Sequence, residues 1–124
     1  MRLLVCALTA TLLAAPPAFA HHSFAMFDQT KEITLSGTVT EWQWTNPHSW
    51  LELDVPSRDG RTAVHWSLES GSVHTLTRLG WRSKMVKPGD KVVVTLNPMK
   101  DGSHGGAMQS IIFANGTKIS GGGR

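Results

Sequence analysis

Six histidines are the residues of this chain best suited to chemistry, and two of them, His21 and His22, stand directly behind Ala18-Phe19-Ala20. That small-x-small tripeptide is the kind a signal peptidase cuts. Cleavage after Ala20 makes His21 the first residue, and a terminal histidine offers a neutral amine and an imidazole nitrogen close enough to grip one metal ion. One more imidazole completes three nitrogens in a plane, a set suited to copper. The histidines available for that place are His22, His48, His65, His74 and His104. His48 follows Asn46-Pro47 at the mouth of a turn, and His104 lies in the glycine-rich stretch Asp101-Gly102-Ser103-His104-Gly105-Gly106. The expected metal set is therefore drawn from His21, His22, His48 and His104, with a copper ion as the cofactor. The alternative for the first two is a frayed, solvated chain start.

Trp42, Trp44 and Trp50 surround Asn46-Pro47-His48. Tryptophans beside a loop can stack a planar or sugar-like ligand, so Trp42, Trp44, Asn46, His48 and Trp50 form a second candidate surface that needs no metal. They can equally fill a core, the role expected for Trp66 and Trp81 because a buried Trp contributes so much apolar area. Glu52, Asp54 and Glu69 are the carboxylates suited to acid or base work. Glu52 and Asp54 alternate with Leu51, Leu53 and Val55 and read as an exposed strand face, while Glu69 precedes a helix whose amino end favours negative charge. A hydrolase or isomerase would need His48 and Glu69 within about 3 Å of each other. No serine elbow, phosphate loop or dinucleotide fingerprint is present, so no catalytic residue is assigned and a binding role is expected over an enzymatic one.

These residues need elements to place them. Residues 1–20 read as a cleaved leader: Arg2 supplies the positive start, Leu3 to Ala15 the apolar run, and Ala20 the cut. That run is too short to span a bilayer, which takes about 20 residues. Cys6 is the chain's one cysteine and leaves with the leader, so disulfides, thiolate metal sites and cysteine nucleophiles are excluded from the mature chain. The expected product is periplasmic or secreted, with no transmembrane anchor. The +3 formal charge comes from twelve basic residues against nine acidic ones, spread along the chain with no basic run. Nucleic acid is accordingly not an expected partner; a metal ion, a small ligand or a periplasmic protein is.

Residues 21–30 form a histidine-rich start. Lys31 to Trp44 alternates apolar and polar residues as a long strand interrupted by Gly37, a residue that marks a bulge or a tight bend at a barrel corner. Asn46-Pro47 breaks it. Ser49 to Val55 and Arg61 to Leu68 flank the turn Ser57-Arg58-Asp59-Gly60 as a hairpin. Val73, Leu76 and Leu79 then recur at a helical spacing between a Ser72 cap and a Gly80 stop. Lys91 to Leu96 and Ala107 to Phe113 are two more strands, Asn115-Gly116 closes a final turn, and residues 120–124 read as a flexible tail. The order β-β-β-α-β-β with a long, glycine-bent first strand predicts an all-β fold with one short helix, a five-stranded OB-like barrel over residues 31–119. An open antiparallel sheet covered by the helix, an α+β arrangement, is the alternative.

His21-His22-Ser23-Phe24, Thr45-Asn46-Pro47-His48, Trp66-Ser67-Leu68-Glu69, Gly80-Trp81 and Lys87-Pro88-Gly89-Asp90 occur here in an order and spacing that resembles the bacterial exported family catalogued as domain of unknown function 6152. The likeness spans nearly all of the chain behind the leader. It implies an exported bacterial protein and singles out His21, His22 and His48 as motif positions, but it brings no assigned activity, ligand or catalytic residue.

Overall fold

The computed structural model describes residues 24–123. Among the described residues, a 3-10 turn (Phe24–Met26) is followed by six strands and one α-helix in the order β1 (Ile33–Gln43), β2 (Trp50–Pro56), β3 (Ala63–Glu69), α1 (Val73–Arg78), β4 (Lys91–Pro98), β5 (Gly105–Phe113) and β6 (Lys118–Ser120). The period-2 alternation of β1 and β2 puts Val39, Leu51 and Leu53 inside, that of β4 adds Val92, Val94 and Leu96, and a bulge in β5 brings Met108 and Ile111 into the same buried cluster. Removing one of these fully buried leucines (to Ala) costs about 2–5 kcal/mol.

β1 is shared between two neighbours. Its first half pairs antiparallel with β4, from Ile33 opposite Leu96 to Thr38 opposite Lys91, and its second half with β2, from Thr38 opposite Asp54 to Gln43 opposite Trp50. Gly37 sits at the handover, where a Cβ would stand 2.6 Å from the Asp54 carbonyl oxygen and 2.9 Å from Leu53 Cγ. Only glycine lets the strand turn that corner. The bulge itself falls three residues later, between Val39 and Glu41.

β2 and β3 form the expected hairpin, and β3 then pairs in parallel with β5 over Ser67–Glu69 and Gly105–Ala107. With β4 antiparallel to both β1 and β5, the circuit β1-β2-β3-β5-β4 returns to β1 and closes. This is the OB-like barrel, and the β3–β5 hydrogen bonds exclude the open sheet. α1 follows β3 as the sequence requires: the Ser72 hydroxyl accepts from the Thr75 N–H at 3.1 Å, and the Gly80 and Trp81 N–H groups return to the Thr77 and Leu76 carbonyls. Leu76 and Trp81 are both fully buried, so the helix and the turn after it seal part of the core. None of the helices among the described residues is long and apolar enough to cross a membrane.

Two expectations change. Residues 120–123 are not a loose tail. Ser120 ends β6, the Gly121 and Gly123 N–H groups donate to the Gln109 and Met108 carbonyls at 2.8 and 3.0 Å, and the Trp81 indole N–H donates to the Ser120 carbonyl. A Cβ at Gly121 would come 2.4 Å from the Met108 carbonyl oxygen, so this glycine serves close packing, whereas a glycine run reads by composition as flexibility. The packed body also begins before residue 31: Phe27 is buried and bridges to Met99, and Asp28 N–H donates to the Pro98 carbonyl at 2.8 Å. Trp66 packs against the core as expected and is half-buried, with one side of it against the His104 ring.

Candidate functional site

The loop between β1 and β2 holds more polar anchoring than its length suggests. Ser49 is fully buried; its N–H donates to the Gly71 carbonyl at 2.9 Å and its carbonyl accepts from the Ser70 N–H at 2.8 Å, which carries the β2–β3 pairing past Trp50 and Glu69. Its hydroxyl donates to the Thr45 carbonyl, the Thr45 hydroxyl donates to the His48 carbonyl at 2.8 Å, and Asn46 Oδ1 accepts from the Val73 N–H at 3.0 Å. The Asn46-Pro47 bond is cis. The Thr-Asn-Pro-His motif is thus pinned to the start of α1 from both ends, and it presents the His48 ring to the last residue of β3.

His48 Nδ1 lies 3.1 Å from Glu69 Oε1 and 3.3 Å from the Ser70 carbonyl oxygen. Both neighbours are acceptors, so Nδ1 carries a proton and donates. The distance a His–carboxylate dyad needs is met. Both side chains are shielded, with 28% and 16% of their surface exposed. They line a cavity of about 200 Å³ whose walls include Phe27, Ser70, Thr75 and Gly122. The hydroxyls around it are already spent on structure: Ser70 Oγ donates to the Gly121 carbonyl, and Ser72 Oγ caps the helix and donates to Thr75 Oγ1.

The other histidines are dispersed. His21 and His22 lie outside the described residues. His104 stacks obliquely on Trp66, ring centres 5.1 Å apart, and its carbonyl accepts from the Ser67 N–H. His74 is on α1. His65 sits on the outer face of the hairpin with Nδ1 2.9 Å from Asp54 Oδ1 and Nε2 2.9 Å from Glu52 Oε2, while Ser67 Oγ donates to Glu52 Oε1. The Asp54 carboxylate first, with Glu52 adding to it, raises the His65 pKa above its ordinary 6.5. Among the described residues no group of three or more His, Cys, Asp or Glu side chains could hold a metal ion.

The tryptophans divide. Trp42 stacks on Trp81 at 5.0 Å and 24° and touches Trp44 at 6.0 Å, so Trp42 and Trp44 pack against the core. The buried Trp42 indole N–H has no hydrogen-bond partner among the described residues. Trp50 lies across the hairpin from Glu69, on the side of the sheet away from Leu51 and Leu68. Of the candidate recognition surface, Asn46, His48 and Trp50 therefore remain near one another and Glu69. Phe27, Ser70 and the glycines at 122 and 123 were not legible as site residues; the apolar run Phe24-Ala25-Met26-Phe27 behind Ser23 was the one signal for Phe27.

No curated protein and no solved structure matches the chain. A family model matches residues 10–109, a span that takes in the pinned loop, Glu69 and α1, and the chain belongs to that Family of unknown function (DUF6152).

Proposed function

We propose that this chain is an exported binding module, periplasmic or secreted, that holds a copper-like metal ion through the amine and imidazole of His21 and Nε2 of His48. The observation that carries this reading is the His48 ring: a carboxylate and a carbonyl hold its Nδ1–H, the arrangement that fixes tautomer and orientation and raises basicity in metal-ligating histidines. Phe27 lines the same cavity, and the 3-10 turn Phe24–Met26 leads directly into it from the side on which His21 lies in sequence. His104 is engaged with Trp66, which favours His48 as the third nitrogen.

Charge points the same way. OB barrels bind ligands on the β2–β3 face and its flanking loops, and here that face carries Glu52, Asp54 and Glu69. Such a surface repels phosphates and attracts cations, so nucleic acid is a poor ligand for it. With the Ser70 and Ser72 hydroxyls committed to structure, neither is poised as a serine nucleophile for the dyad, and we read it as part of a binding site.

Titration of Cu(II) into protein beginning at His21, into the same protein carrying one extra amino-terminal residue, and into the His48→Ala variant tests this. Affinity should fall at least a hundredfold in both altered forms. Equal affinity in all three overturns the reading.

A further inference from the structure

A second feature lies at the other end of β5, away from the dyad. In β4 the buried residues are Val92, Val94 and Leu96, so Val93 points outward, and it pairs with Ser36 on β1 and Ile112 on β5. Val93 and Ile112 are therefore adjacent aliphatic side chains on the barrel exterior, where the alternation calls for polar residues. Both are half-buried. The neighbouring row carries Lys91, opposite Thr38, whose hydroxyl accepts from the Lys91 ammonium. No carboxylate forms an ion pair with Lys91 among the described residues.

Two hollows of about 460 Å³ each meet at Lys91, Phe113 and Ala114. One runs over Val93 and Ile112, and the other reaches Lys87 and Asp90, whose carboxylate already accepts from the Lys87 N–H. The volumes fall in the range of small-molecule sites, about 300–1,000 Å³. An apolar floor beside an ammonium that only a neutral hydroxyl engages is complementary to a molecule with a hydrocarbon body and one anionic end. Its chain would cover the aliphatic pair, and its head would accept from Lys91, with Lys87 adding long-range attraction.

We infer that this trough is a binding site for a free single-chain monocarboxylate of the fatty-acid type, headed on Lys91 and lying over Val93 and Ile112. It is independent of the metal reading, since it shares no residue with the His48 cavity.

Calorimetric titration of the full chain with dodecanoate, dodecanol and dodecylamine, each below its aggregation threshold, tests it. Dodecanoate should bind saturably at one per chain, and dodecanol and dodecylamine at least tenfold more weakly. Lys91→Met should weaken dodecanoate at least tenfold, and Val93→Thr severalfold, with circular dichroism verifying that each variant is folded. Absence of saturable binding, or dodecanol binding as tightly as dodecanoate, overturns the proposal without reliance on any variant. So does a Val93-dependent dimer seen by sedimentation, which would make a second copy the occupant. Unchanged copper affinity in Lys91→Met separates this result from that of the metal site.

Discussion

Two imidazoles stand beside carboxylates of the same β2–β3 hairpin, and they are placed for opposite purposes. His65 lies on the open face, 56% exposed, with a different carboxylate 2.9 Å from each nitrogen. Only the imidazolium can donate to both, so the ring is a closed clamp between Glu52 and Asp54. His48 is half as exposed, at 28%, and its carboxylate and carbonyl neighbours both address the one nitrogen Nδ1. Two acceptors on one nitrogen fix which nitrogen of the His48 ring donates, whereas one acceptor on each nitrogen engages the whole His65 ring.

Exchanging the two histidines' roles by mutation is the most severe way to break the contrast. His48→Ala should lower Cu(II) affinity at least a hundredfold, about 2.8 kcal/mol at 1.4 kcal/mol per tenfold, while His65→Ala leaves it unchanged. Comparable losses from both would mean that the hairpin face as a whole attracts the ion. Next in size is Glu69→Gln, which keeps an acceptor beside Nδ1 but removes the negative charge. Its affinity should fall about tenfold, at the lower end of outer-partner effects. Glu52→Gln serves as the control, and an equal loss there would sink the assignment.

The His65 clamp was not legible in the residues alone: a turn at Ser57–Gly60 with the next strand starting at Arg61 would set Glu52 opposite His65, whereas the loop runs on to Thr62 and the register sets Asp54 opposite His65 and Glu52 opposite Ser67. The barrel was legible, because alternation, the Gly37 corner and the Ser72 cap are local signals that agree. His48 was visible as a motif position, and Glu69 as a carboxylate. Their contact depends on the buried Ser49 hydroxyl, the Asn46–Val73 hydrogen bond and the Ser70 carbonyl, and such polar anchoring leaves no periodic trace. The glycines at 121–123 misled because composition alone does not separate a glycine needed for close approach from one in a mobile linker. Trp42 and Trp44 were open between surface and core, and the stacking on Trp81 places them against the core.

Ser70 offers a smaller test of whether the His48 cavity depends on the chain's end. Its hydroxyl donates to the Gly121 carbonyl, which also accepts from the Gly71 N–H at 3.2 Å, and these bonds hold the segment whose Gly122 and Gly123 line the cavity. Ser70→Ala should lower stability by about 1 kcal/mol in urea unfolding, the usual net worth of one hydrogen bond, and should speed amide exchange at Gly121 and Gly123. Unchanged exchange there would show that the segment is held without the serine.

The smallest effect concerns His65, and its sign separates it most cleanly from His48. Asp54, and after it Glu52, hold the imidazolium, so the folded pKa is raised above the ordinary 6.5. A group raised in the folded state contributes stability that is fully present below the unfolded pKa and is lost as pH climbs through the folded one. The clamp therefore strengthens the hairpin on the acid side of 6.5 and fades above it. Because the ring is 56% exposed, solvent screening keeps the contribution below about 1 kcal/mol. The gap in unfolding free energy between wild type and His65→Gln should be open below pH 6.5 and closed well above it. In a proton NMR titration Asp54→Asn should lower the His65 midpoint further than Glu52→Gln does, since Asp54 is the stronger partner. A gap that stays constant across this range would mean that His65 sits between its carboxylates without being held by them.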